Sequence, residues 1–217
     1  YGDHRDLHLS IRRQRQMCIR DSMRGIRPPQ LVSRIPYPCW GLSFAEPIGD
    51  ASELVELFLE WRNDERWVLL GGPAAVSEAQ LWTAWFGLSS RHANSNMRAN
   101  SLDVEFIRLI AGTHQIRIGF ERAGLANGDQ TAWLVHIPEL STENVSEKQW
   151  PAMDRFALDQ EADRLMCVLN AKLLPHGPIP HEDSVKRLEL QVEDAENTDF
   201  DSIQRSALAH IALADFN

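Results

Sequence analysis

Two helix-start signatures, each leading into an apolar stripe and separated by a short strand-like run, constrain this chain more than any other feature. Asp50 with Glu53 precedes Leu54, Leu57, Phe58 and Trp61, an i, i+3, i+4, i+7 pattern behind a capping box that satisfies amides the helix leaves unpaired. Ser77 with Gln80 opens a second helix, with Val76 and Leu81 spaced as a hydrophobic staple and Leu81, Ala84, Trp85 and Leu88 as its stripe. Between them "RWVLLGG" (66–72) is too short for a helix and runs into Gly71, Gly72 and Pro73, so it reads as a buried strand. A chain that changes hydrophobic period this way must pack helices against a sheet.

The remaining elements follow the same logic. "YPCWGLSFAEP" (37–47), bounded by Pro36, Pro38 and Pro47, reads as a first strand. Residues 100–124 hold two short helical patterns around a Gly112-Thr113 break, with Gly124 as a C-cap, and Asn127-Gly128 then turns the chain into the strand "TAWLVHIP". The pattern predicts a helix over 154–173 with Phe156, Ala162, Leu165, Met166, Leu169 and Leu173 inward. "VKRLELQV" (185–192) alternates like a strand, and a last helix carries Ile203, Ala207, Leu208, Ile211 and Ala212. The expected fold class is α/β (α+β): one domain over 37–217, with a mixed or antiparallel sheet flanked by helices and a C-terminal helix. Residues 23–36 form an irregular lead-in. Residues 1–22 carry five arginines, three aspartates and no apolar period; "RQRQMCIRDS" resembles a translated sequencing adapter, which makes Met23 the expected native start.

With 43% hydrophobic residues, including seven tryptophans and eight phenylalanines, 217 residues can bury one sizeable core. The apolar runs fall far short of the roughly 18 residues that span a bilayer, so neither a membrane span nor a membrane partner is expected. Cys18, Cys39 and Cys167 are scattered without a CxxC pair, which suggests neither a disulfide framework nor a zinc site and fits a reducing cytoplasm. The formal charge of −9 becomes −11 once the five arginines and three aspartates of 1–22 are removed, and it argues against binding RNA or membranes by bulk attraction. Only Lys148, Lys172 and Lys186 are lysines; the other 19 basic residues are arginines, which suit planar recognition of phosphate or carboxylate.

No P-loop, GxGxxG turn, HExxH or GxSxG is present, and no cofactor or metal is implied. "GGPAAV" follows a strand but lacks the lysine of a phosphate loop, so it reads as a turn. His176 and His181 are separated by two prolines with no third ligand nearby, a poor metal pair. His136 reads as a packed or edge histidine. Over 91–122 the acidic balance reverses: Arg91, Arg98, Arg108, Arg117 and Arg122, with His92 and His114, face only Asp103, Glu105 and Glu121. Asp103 suits the first turn of its helix and Glu105 with Arg108 forms an i, i+3 pair, both structural roles. Thr113 can cap the following helix, whose first amides near His114 and Gln115 then face an anion. Together with Asn94, Asn96, Asn100 and Ser101, these groups resemble a small phosphate or nucleotide cradle more than an acid/base pair, although on composition alone a solvated face is the simpler reading.

The ordered set Ala99, Asn100, Ser101, Glu105, Gly112, Gln115, Ile116 and Gly124 resembles the pattern of the small kinase-binding subunits of the KEOPS (EKC) complex, the p53-related-protein-kinase-binding protein family. "VSEAQLWTAW" and the closing "ALAHIALADF" resemble the family's corresponding helices, and an archaeal source fits. The likeness covers about 37–217, well in 76–138 and 199–216. It implies an α/β fold without catalysis, which docks on the KEOPS kinase/ATPase, meets the other KEOPS subunits indirectly, and captures the 3′ CCA end of tRNA for threonylcarbamoyladenosine synthesis. On this basis Arg91, Asn94, Asn96, Arg98, Asn100, His114 and Gln115 are the expected RNA-binding residues, arginine for phosphate and amide side chains for base edges or ribose hydroxyls. The family usually has Arg where His114 stands, a small residue other than Gly at Gly119 and His at Gln80, and 139–152 and 193–201 look like additions. Two other readings stand beside this one: a kinase-binding module that does not touch RNA, and a small enzyme using Glu105, His114 and Arg117.

Overall fold

Runs rich in tryptophan, leucine and valine pair as strands, because β-branched and aromatic side chains fill a sheet covered on both faces. The computed structural model describes residues 36–140, 151–192 and 199–216. Tyr37–Asn217 is one unit and Tyr1–Pro36 another, and only the former is described below; the adapter-like segment lies outside the described residues. Strands β1 (Cys39–Ser43), β2 (Trp67–Gly71), β3 (Thr131–His136) and β4 (Lys172–Leu173) form one sheet in the order β2-β3-β1-β4, with every ladder antiparallel. Helices α1 (Ala51–Trp61), α2 (Glu78–Ala93), α3 (Leu102–Ile110), α4 (Ile116–Ala123), α5 (Arg155–Val168), α6 (Glu182–Leu188) and α7 (Phe200–Ala212) surround it. The fold is α+β. Among the described residues, no helix is long and apolar enough to cross a membrane.

Strand alternation sends Trp40, Leu42, Trp67, Leu69, Ala132 and Leu134 to one face, where they pack with Phe58 of α1 and with Ala162, Leu165 and Met166 of α5. The intervening Val68, Leu70 and Val135 are equally buried and point to the opposite face, on the side of α3, which contacts β2. The buried Trp85, Phe106, Leu109 and Ile110 of α2 and α3 enlarge the core; Trp85 donates its indole N–H to the carbonyl of Pro138, so its polar atom is satisfied.

Both capping signatures operate. Asp50 accepts from the amides of Ser52 and Glu53, and Ser77 accepts from that of Gln80. The Gln80 side chain reaches back to Val76 N rather than to Ser77 N, and donates to Ala74 O. "GGPA" forms a single 3-10 turn at Gly72–Ala74, not a phosphate loop.

Several local expectations need correction. The 185–192 segment is not a strand: Glu182–Leu188 is helical, capped by His181 accepting from Asp183 N, with acids in its first turn and Lys186 and Arg187 in its last. That charge order suits the helix dipole, and Glu189 ends the helix in the left-handed region at φ 54°. The helix expected over 154–173 stops at Val168; Asn170, at φ 50°, turns the chain so that Lys172–Leu173 can pair with β1, leaving Leu173 mostly exposed. Phe156 is 72% exposed, because Leu158, four residues before Ala162, continues the buried stripe and Phe156 lies two residues off it. Trp61 and Ala212 are likewise exposed at the ends of their helices.

His136 is confirmed as a packed histidine. Its ring meets Trp67 edge-on at 4.9 Å, and burial, aided by Arg66, lowers its pKa to about 4. A base whose folded pKa lies below its unfolded value of about 6.5 costs stability where only the unfolded chain takes up the proton. Stability should therefore fall as pH drops from about 6.5 towards 4, with a slope of about 1.4 kcal/mol per pH unit from this group. Equilibrium unfolding at several pH values checks this: His136→Phe should flatten that limb, and an unchanged slope would remove His136 as its cause.

Candidate nucleic-acid interface

The polar loop after α2 is built by its own caps. Asn94 closes the helix, its backbone N–H bonding Ser90 O and its side-chain amide donating to the same carbonyl at 2.7 Å. Ser95 takes φ 51°, and Asn96 N then donates to Arg91 O at 2.8 Å. Asn94, Asn96, Arg98 and Asn100 are exposed along this loop. The loop is anchored from below by Glu105 of α3, whose Oε2 accepts the amides of Arg98 at 3.1 Å and Ala99 at 2.9 Å.

Glu105 is fully buried and faces the fully buried Arg108, which donates Nη2 to Oε1 at 2.5 Å and Nε to Oε2 at 3.2 Å. The i, i+3 pair anticipated from sequence is therefore internal. Arg108 extends further, its Nη1 donating to Thr113 O at 2.9 Å, Ala214 O at 3.3 Å and Asp215 Oδ1 at 3.1 Å. Arg91 donates Nη2 to Asp215 Oδ2 at 2.6 Å, and Arg98 Nε lies 3.4 Å from Oδ1. Three arginines and two carboxylates thus form one cluster with a formal charge of +1. Burial opposes ionisation of Asp215, but hydrogen bonds and charge attraction from Arg91 and Arg108 hold its pKa below the usual carboxylate value.

Asp103 is a capping carboxylate. It accepts from Ser101 Oγ at 2.5 Å and Val104 N at 2.8 Å, and pairs with Arg62 at 2.6 Å. Thr113 is not the cap of α4: it stands two residues before the N-cap, Gln115, which makes no side-chain cap bond, and its Oγ1 accepts from Gln115 N at 3.2 Å. His114 and Gln115 are exposed at this helix start. Gly119 packs on the α3 backbone, where an added Cβ would stand 3.3 Å from Arg108 Cα. Alanine there would need only a small shift.

The candidate segments 94–100 and 113–115 therefore converge on the Glu105–Arg108 pair, the first through Glu105 and the second through Arg108, with Arg91 and Arg98 sharing Asp215. Arg91 differs from the rest in being largely buried, its side chain 17% exposed. Glu105, His114 and Arg117 form no common site: Glu105 is enclosed, while Arg117 is solvent-exposed and paired with Glu121 at 2.9 Å. Among the described residues no group of three or more His, Cys, Asp or Glu side chains could hold a metal ion.

Two groups were missed from sequence. Asp215 lies over 100 residues from the arginines it binds, although the local surplus of arginine over acid signals a carboxylate supplied from elsewhere. His210 of α7 bonds Ala111 O at 2.8 Å through Nε2, which must carry the proton to donate to a carbonyl. Burial lowers the pKa of His210, against the opposing effect of that bond. An apolar cleft of about 350 Å³, lined by Val55, Leu59, Val104, Ile107 and Phe120 with Arg62 and Asp103 at its edge, opens between α1, α3 and α4. Comparison with protein-family models and with curated proteins finds no match to the chain.

Proposed function

We propose that the protein is a non-enzymatic accessory subunit of a KEOPS complex in the cytoplasm, joining the kinase/ATPase subunit to the 3′ CCA end of tRNA. One observation carries this reading: "NSNMRANS" and "GTHQ", the segments picked out by the ordered motif, are anchored on the same buried ion pair, the first through Glu105 and the second through Arg108, with their amide and imidazole side chains exposed. Single-stranded ends are recognised by splayed bases on such groups and by phosphate on arginine. Exposed Leu59 and Phe120 beside the apolar cleft offer a surface of the kind a partner protein covers.

The test is binding of intact tRNA and of tRNA lacking CCA, with and without the cognate kinase. Removing CCA should weaken binding by at least about ten-fold, the scale of losing stacked bases. Equal affinities would sink the RNA role, and failure to form a complex with the kinase would sink the assignment. The pairing of Arg91 and Arg98 with Asp215, together with the acidic net charge, favours a second reading, a kinase-binding module without RNA contact. Arg98→Glu separates the two: unchanged tRNA modification by the assembled complex supports the second, and reduced modification with kinase binding intact supports the first.

A further inference from the structure

We infer that Asp215 is a gate on the anion-binding arginines, its carboxylate occupying the position between Arg91 and Arg98 that a ligand phosphate takes when it binds. This rests on the RNA-end reading but is testable apart from it. Both arginines are committed to the same carboxylate, at 2.6 Å and 3.4 Å. Of the two carboxylates in the cluster, Glu105 is fully enclosed, whereas the Asp215 side chain is 33% exposed and reachable from solvent. Asp215 is thus the exchangeable partner. Withdrawing it leaves three arginines around Glu105 alone and raises the cluster's formal charge from +1 to +2, which an incoming phosphate then offsets.

The exchange needs little movement of the fold. Ile203, Ala207, Ile211 and Ala214 are buried, and His210 holds α7 to Ala111, so the helix stays seated while the Asp215 side chain rotates. Phe216 beside it is 85% exposed and does not obstruct the rotation. Arg108 keeps Glu105, Thr113 O and Ala214 O when Asp215 leaves.

Asp215→Asn tests the gate, with tRNA and inorganic tripolyphosphate as separate probes. Removing the competing charge should tighten both by roughly ten-fold, and adding Arg98→Ala should abolish most of that gain. A folded Asp215→Asn protein that binds both probes no tighter than wild type overturns the gate. Tighter, Arg98-dependent binding of tripolyphosphate with no tRNA binding by any form sustains the gate and overturns the RNA reading. Should Asp215→Asn not fold, wild-type protein with tripolyphosphate gives the answer by NMR. The Nε–H signals of Arg91 and Arg98 and the Asp215 carboxyl carbon should shift together, and unmoved signals overturn the proposal.

Discussion

Glu105→Ala should lower the unfolding free energy by about 3–5 kcal/mol, the scale for removing one partner of a buried ion pair. The carboxylate accepts two bonds from Arg108 and the amides of Arg98 and Ala99, with no exposure to solvent. Its loss leaves a buried guanidinium with Asp215 as its remaining carboxylate, and two amides without their acceptor. Glu105→Gln keeps an acceptor for the amides and should fall between alanine and wild type. Urea unfolding would show a lower midpoint at unchanged slope. An alanine variant within about 1 kcal/mol of wild type would refute the structural role, and so would a glutamine variant of full stability that has lost an enzymatic activity.

The second large effect is expected at Gly112. It adopts φ 59°, and a Cβ there would lie 2.0 Å from the His210 ring. Gly112→Val therefore combines a left-handed β-branched residue with displacement of the ring that bonds Ala111, for about 3–5 kcal/mol in total. Because the two contributions differ in origin, a double-mutant cycle separates them. His210→Ala alone should cost about 1–2 kcal/mol, and Gly112→Val in that background should lose its steric part and keep only backbone strain. Additive costs in thermal or urea unfolding would mean that the ring is not what Gly112 accommodates.

Much of the architecture was legible where a local physical rule decides the outcome. The Asp50 and Ser77 caps, the stripes behind them and the Gly71-Gly72-Pro73 stop are satisfied within a few residues, so tertiary context had little to alter. Residues 185–192 failed because Leu188, Leu190 and Val192 alternate while Val185, three residues before Leu188, is out of strand phase and in helical phase; the His181 cap and the charge order chose the helix. Asn170 failed for a different reason, since a left-handed asparagine that frees Lys172–Leu173 to reach β1 leaves no periodic trace. In the candidate site, Glu105 with Arg108 was readable from spacing, and Asp215 was not. Arg91 is paired with a residue 124 positions away, and one sequence contains no signal that pairs them.

The two-residue strand β4 also has a consequence beyond the site. It carries Lys172 at the margin of the sheet and lies beside only Leu42 and Ser43 of its neighbour, after which Leu174 N bonds Gly41 O. A sheet that ends in so short and charged a margin gives another chain little backbone to extend. Along this edge the sheet is thus guarded against strand-to-strand pairing with a second copy, whereas the opposite edge is the longer β2.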